Sequence, residues 1–246
     1  MERLFPDPGP TSPADQVASL DLASPAGENR PYVVSNFVVT IDGKVTLGGR
    51  SGAIGSDTDT AMLLALRTRV DAVMIGAGTM RAECYGRVIR DPAKRERRER
   101  DGLPHDPLMV IVSGRLDLPW NAPLFTEGAG RVLIFTASDE DPPETATPVR
   151  VERHPEQVDL AEALAFLRRE RGIRALLCEG GPRLHAQLIE GELIDELFVT
   201  HAPKVTGGEG PTLVAGLPEG DRLVEPAWLL REPDTGELFA RYRVPG

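Results

Sequence analysis

The chain opens without a sustained rhythm. Residues 1–30 are rich in Pro, Ala, Ser and Asp, and no apolar period runs through them. They read as an N-terminal extension, lying over the surface or partly disordered. From Pro31 the pattern changes. PYVVSNFVVTIDGKV is β-branched and largely uncharged, which predicts a buried strand ending at Asp42-Gly43. IGSDTDTAMLLALRTRVDA predicts a helix with Ser56 as N-cap and Asp57 and Asp59 at its positive end. Its core stripe is Leu63, Leu66 and Val70. AVMIGAGT predicts a second buried strand over residues 72–75, ending in a Gly-rich turn.

PLMVIVSG and RVLIFT predict two more strands. In DLAEALAFLRRERG, Asp159 caps a helix, Glu162 makes a capping-box-like pair with it, and Gly172 stops it. Leu160, Leu164 and Leu167 form the buried stripe. IRALLC is a strand running into EGGPRLHAQLIEG, a helix with Pro182 in its first turn and Gly191 as C′ residue. DELFVTHAPKV is another strand. EPAWLLREPDTGELFARYRV reads as two strands joined at Pro233-Asp234-Thr235-Gly236. Strands alternating with helices, closed by a hairpin, predict one α/β sheet, mostly parallel, with an antiparallel edge.

Charge narrows the ligands. With 28 basic and 38 acidic residues among 246, the net charge is −10. Attraction to nucleic acid or to an anionic membrane is not expected. An anionic ligand must therefore find local positive charge and backbone N–H groups. The stretch DPAKRERRERDG, residues 91–102, reads as a solvated loop or short exposed helix; its acids interleave with its bases and no aromatic residue accompanies them. No apolar run approaches the ~18 residues of a membrane span, and the start lacks the basic and apolar regions of a secretory signal. The two cysteines, Cys84 and Cys178, lie in unrelated contexts, which fits a reducing compartment such as the cytoplasm. His105, His154, His185 and His201 are scattered, so no metal site is expected.

Two strand–glycine–helix junctions carry candidate chemistry: Gly76-Ala77-Gly78-Thr79 and Glu179-Gly180-Gly181-Pro182. Such glycines can serve tight turns alone. They can also let the backbone approach a phosphate at a helix N-terminus, at the carboxyl end of a strand. Neither is a G-x-G-x-x-G fingerprint, since Arg81 takes the third glycine's place. Thr40-Ile41-Asp42-Gly43-Lys44 is either a turn with a solvated base or part of a site that Ser51, Arg67 and Glu179 complete. Glu179, a carboxylate directly after an apolar strand, is costly to bury without a partner.

The succession VSNFVVTIDGKV, SGAIGS, LLALRTRVDAVMIGAGTMRAE and LLCEGGPRLHAQLIEGELIDELFVTHAPKVTGG resembles the reductase domain of bacterial riboflavin biosynthesis proteins, within the dihydrofolate reductase-like superfamily. The likeness runs from about Pro31 to Val244 and implies a reductase domain over residues 31–246 with a three-layer α/β/α fold. It implies NADPH-dependent reduction of 5-amino-6-(5-phosphoribosylamino)uracil, with hydride delivered to the ribosyl C1′. It further implies that Gly76, Gly78 and Thr79 begin the NADPH site and that Gly180, Gly181, Pro182, Arg183 and Leu184 cradle the pyrophosphate. Ser113 and Arg115 would hold the adenosine end, Arg115 suiting a 2′-phosphate. Asn36, Asp42, Lys44, Ser51, Arg67 and Glu179 would face the substrate, with Lys44 or an acid near it, Asp42, supplying a proton. A homodimer is implied too, and the apolar C-terminal strands offer an edge for a second subunit.

One stretch departs from the family. Where an Asp-Asp-Pro run usually follows the GxGT segment, this chain reads Ala82-Glu83-Cys84-Tyr85-Gly86-Arg87. Arg87 or Arg90 is the candidate to replace the lost ribose-phosphate contact, and Cys84 is expected to pack. Reduction of another heterocycle such as dihydrofolate, or non-catalytic NADPH binding, remain the alternatives.

Overall fold

The apolar run after Pro31 forms a strand, Tyr32–Val39, buried at every residue from Val33 onward. The computed structural model describes residues 1–245. In chain order its elements are β1 (Glu2–Phe5), β2 (Gly9–Pro10), α1 (Pro13–Ala18), β3 (Tyr32–Val39), α2 (Asp57–Arg67), β4 (Ala72–Gly76), α3 (Ala77–Glu83), α4 (Pro92–Arg100), β5 (Leu108–Val112), α5 (Pro123–Thr126), β6 (Val132–Thr136), β7 (Val149–Arg153), α6 (Leu160–Arg171), β8 (Ala175–Cys178), α7 (Pro182–Glu190), β9 (Glu196–His201), β10 (Glu225–Arg231) and β11 (Leu238–Arg243). They divide between two units. The first comprises Met1–Asp21, Val33–Leu66 and Cys178–Gly246, the second Leu22–Tyr32 and Arg67–Leu177.

In the first unit the strands run in the order β2-β1-β10-β11-β9-β3. β3 and β9 are parallel; every other pair is antiparallel. Strand alternation sends Ser35 and Phe37 to one face, where His185 of α7 meets both. Val38 takes the opposite face, level with Thr200 of β9, whose hydroxyl donates to Asp59 of α2. Helices thus cover both faces, and this unit is three layers deep. The antiparallel edge expected from the C-terminal hairpin is there, but β1 continues it beyond β10 and β2 continues it beyond β1. Along Leu229–Arg231, β10 therefore has no open side for a second subunit. Residues 1–30 do more than lie over the surface: they supply β1, β2 and α1 and bury Val17, Leu20 and Leu22.

The second unit orders its strands β8-β4-β5-β6-β7, with parallel pairing from β4 through β7. Asp71 fastens the start of β4: its carboxylate accepts from the N–H groups of Arg174 and Ala175, and its carbonyl accepts from Leu108. The α/β class with parallel strands and an antiparallel edge is the one the sequence predicts.

Helix punctuation holds with three changes. Asp159 accepts from Ala161 and Glu162 N–H groups, and Gly172 ends α6 at φ 67°. Glu162 does not close a capping box, because the Asp159 N–H reaches His154 Nδ1 instead. On α2 the buried residues are Met62 and Leu66, with Leu63 only half-buried. Gly191 ends α7 at a negative φ; its small size matters because a Cβ there would lie 3.1 Å from Leu193 Cδ1.

Ser56 caps α2 as expected, accepting from Thr58 and Asp59 N–H groups, while its own hydroxyl donates to Glu237. This places two largely buried carboxylates, Asp59 and Glu237, in one region. Burial, with the Glu237 charge adding to it, pushes the Asp59 carboxyl up to about 6. The folded chain therefore binds the Asp59 proton more tightly than the unfolded chain. That contribution is fully present below the unfolded value near 4 and is lost as pH rises through 6. Asp59→Asn is expected to be about 2 kcal/mol more stable than the parent at pH 8 and nearly equal to it at pH 4. Urea midpoints at the two pH values measure this; an equal difference at both would remove ionisation as the cause.

Candidate active site

In the first unit, β3 ends at Val39 and the chain turns immediately. Thr40 N–H donates to Lys44 O, and Gly43 N–H returns to Thr40 O, with Gly43 at φ 79°. Asp42 holds this turn to the segment beyond β9. Its carboxylate accepts from the Thr40 hydroxyl at 2.7 Å, from Gly207 N–H at 2.7 Å and from Thr206 N–H at 3.2 Å. These bonds, the Thr40 hydroxyl foremost, hold the carboxyl down to about 2. Asp42 is a carboxylate at neutral pH and has no proton to give. The Lys44 ammonium, half-buried two residues on, donates to Gly210 O at 2.8 Å.

Ser51 lies in the turn before α2, half-buried, its carbonyl accepting from Ile54 N–H. Lys204 steadies that turn by donating to Ala53 O and Ile54 O. Asn36 is 8% exposed in the middle of β3, level with Phe198 on the α2 side. Glu179 is half-buried where β8 gives way to the glycines.

Gly180 is buried at φ 99°, a conformation that favours glycine, and the Gly180–Gly181 peptide is cis. Gly181 is the extended N-cap of α7 and Pro182 opens the helix, so no side chain caps it. The first N–H in the helical ladder is that of His185, donating to Gly181 O. Arg183 is exposed and Leu184 buried.

In the second unit the other junction has the same build. Gly76, at φ −84° and ψ 156°, is the N-cap of α3, again with no side-chain cap. By contrast Ser12, Asp91 and Asp159 side chains cap α1, α4 and α6. Gly78 sits in the first turn of α3, exposed, and a Cβ there would meet nothing within 4 Å. The fold itself thus gives no steric reason for glycine at 78. Thr79 is half-buried. Beyond β5, Ser113 is 3% exposed with its N–H donated to Phe135 O, whereas Arg115 is exposed.

Arg67 donates to Val88 O at 3.0 Å and lies over the Tyr85 ring at 5.6 Å from its centroid. Arg87 is committed elsewhere. Its Nε and Nη2 reach the two Asp106 carboxylate oxygens at 2.9 and 2.6 Å, a forked pair that raises the guanidinium's pKa. Cys84 does not pack; it is exposed at the C-cap of α3, at φ 50°.

The charged stretch is a helix, α4, capped by Asp91. Arg98 is fully buried within it and donates to the carbonyls of Arg67, Val70 and Pro104.

Within the first unit, one segment ties together features far apart in sequence. Residues 206–215 meet Asp42 through Thr206 and Gly207, Lys44 through Gly210, and the start of α7 through Ala215 N–H on Pro182 O. Sequence reading passed over it, though Gly207-Gly208 and Gly210 mark an irregular stretch.

A sequence model of the RibD C-terminal domain matches residues 31–225. The 2,5-diamino-6-ribosylamino-4(3H)-pyrimidinone 5′-phosphate reductase of Archaeoglobus fulgidus is 32% identical over 192 residues, covering 76% of this chain and 87% of that protein. Among solved structures, a pyrimidine reductase-like protein from Corynebacterium diphtheriae superposes with a TM-score of 0.79 at 24% identity, covering 96% of this chain and 100% of that one. A deaminase/5-amino-6-(5-phosphoribosylamino)uracil reductase from Thermotoga maritima gives 0.70 at 22% identity, covering 88% of this chain and 57% of that one.

Proposed function

The chain belongs to the RibD C-terminal domain family, the reductases of riboflavin biosynthesis, and from that premise we propose that it is an NADPH-dependent reductase of a phosphoribosylaminopyrimidine, acting at the ribosyl C1′. The carrying observation is that each unit, taken by itself, has a glycine-led helix start, Gly76 before α3 in one and Gly181 before α7 in the other, where no side chain takes the first-turn N–H groups. Those groups suit the phosphates of a dinucleotide. Gly78, open on its Cβ side, gives a phosphate room to approach the backbone.

On this reading Gly76, Gly78, Thr79 and the Gly180–Leu184 stretch bind NADPH. Exposed Arg115 meets the 2′-phosphate, beside Ser113. When bound, NADPH supplies the two electrons of the reduction. The chain's own part is to place the sugar and supply a proton. Lys44 takes the proton role, since Asp42 is ionised and fastened within its turn. Glu179 accepts hydrogen bonds from the pyrimidine or the ribose hydroxyls, and Asn36, Ser51 and Arg67 complete the substrate side. With Arg87 held by Asp106, the phosphate contact in the departing stretch falls to exposed Arg90. The cell compartment proposed is the cytoplasm; among the described residues no helix is long and apolar enough to cross a membrane.

Two substrates fit this class, and they differ in the pyrimidine's C2 substituent. The Archaeoglobus relative is named for the 2,5-diamino form, whereas the family resemblance points to the uracil form. Oxidation of NADPH, and much less of NADH, is expected with one of these two phosphates and not with dihydrofolate. Activity on dihydrofolate alone would overturn the substrate class. Absence of NADPH oxidation with every aminopyrimidine and pterin would favour a non-catalytic nucleotide binder.

A further inference from the structure

His185 lies one turn into α7, fully buried like Leu184, Ala186 and Leu188, and it meets Ser35 and Phe37 of β3. A leucine would fill such a position without any polar demand. The imidazole is instead bonded on both sides. Nδ1 lies 3.1 Å from Leu213 O, and Nε2 lies 3.2 Å from Ser35 Oγ. A carbonyl can only accept, so Nδ1 carries the hydrogen. Nε2 of the neutral ring then accepts from the Ser35 hydroxyl. The Phe37 ring packs against it with centroids 4.4 Å apart. Burial pushes the imidazole down to about 4, so it stays neutral near pH 7.

What His185 grips is the middle of the segment that joins the two halves of this unit's chemistry. On one side of Leu213, Gly210 O takes the Lys44 ammonium, Pro211 O takes the Val45 N–H, and Thr212 bridges Lys44. On the other side Ala215 N–H reaches Pro182 O in the first turn of α7. Leu213 O is the central attachment.

We propose that His185 is a positioning residue: through Leu213 O it clamps residues 210–215 so that one end sets the Lys44 ammonium and the other sets the start of α7. The role in turnover rests on the reductase reading given above; the clamp itself does not. Loss of the Nδ1 donor leaves a carbonyl unpaired and frees the segment between its two ends. Small displacements of a proton donor are enough to slow a reaction.

The test uses three variants. His185→Leu removes both bonds, and His185→Gln keeps an amide near Ser35 while losing the Leu213 donor. His185→Asn presents its amide N–H where Nδ1 stood. Hydrogen exchange at the Val45 and Ala215 amides is expected to quicken about tenfold or more in the Leu and Gln variants and to recover in Asn. With substrate and NADPH, kcat is expected to fall about tenfold in Leu and Gln, and to return within about threefold in Asn. Exchange unchanged in all three, or equal damage in Asn and Leu, overturns the clamp. Altered exchange with unchanged kcat overturns the positioning role. A wild-type protein inactive on every aminopyrimidine defeats the reductase reading, and exchange alone then decides the clamp. Should the variants not fold, the imidazole nitrogen shifts of the wild-type protein decide it: the Nδ1–H tautomer is expected, and Nε2–H rules it out.

Discussion

Lys44→Met is expected to lower kcat by about 100-fold or more while NADPH affinity stays within about twofold. Methionine keeps an unbranched stem of similar length and lacks the ammonium. Among the described residues that ammonium makes one hydrogen bond, to Gly210 O, and Lys44 is half-buried, so the fold loses little with it. The substituted group is the proton source proposed above. Asp42 cannot stand in: three hydrogen bonds hold it as a carboxylate and turn it toward residues 206–207. The glycine junctions assigned to the nucleotide do not involve Lys44. Steady-state kinetics and nucleotide titration on the same preparation check both halves. Turnover within threefold of the parent would remove Lys44 from the mechanism.

Arg98→Met is expected to cost about 3–5 kcal/mol of stability, although the substituted helix is the most charged in the chain. The Arg98 guanidinium is fully buried, and its donors serve three carbonyls, of Arg67, Val70 and Pro104, at 2.8–2.9 Å. Burial lowers its pKa to about 10, still a cation at neutral pH, with the charges of Asp71 and Asp106 offsetting the loss of water. Methionine fills part of the volume and serves none of the carbonyls. Among the described residues Nη2 has no partner, so the arginine's own desolvation is incompletely repaid and the figure lies below a sum of three separate bonds. Because one partner carbonyl belongs to Arg67, the variant is also expected to raise the KM for the pyrimidine. Denaturant midpoints decide the main point, and a loss under 1 kcal/mol would mean that neighbouring groups or water satisfy the three carbonyls.

The sequence was most legible where structure is local. β3 and β8 are near-continuous apolar runs, and α6 carries its own cap and stop, so their elements could be placed from composition and spacing. The glycine junctions and the Asp42-Gly43-Lys44 turn were legible for the same reason. β7 was missed although VRVER alternates apolar and charged residues; at five residues, two of them exposed and none buried, the alternation is weak. β1 was missed because its partner, β10, lies at the other end of the chain, and nothing in ERLF announces that pairing. Arg98 could not be told from Arg95, Arg97 or Arg100 by pattern, since α4 has no apolar face to orient it. Arg87 looked available because Asp106, its partner, lies 19 positions on. The clamp on residues 210–215 was invisible for a like reason: its contacts join three stretches that no spacing rule connects.

The short strand β2 has a consequence for assembly. It is two residues long and ends in Pro10, which has no N–H to offer. Outward from there the ladder has almost nothing to template, so chains cannot stack edge to edge on that flank and polymerise. Backbone pairing with a second subunit would have to use another edge, such as that of β7.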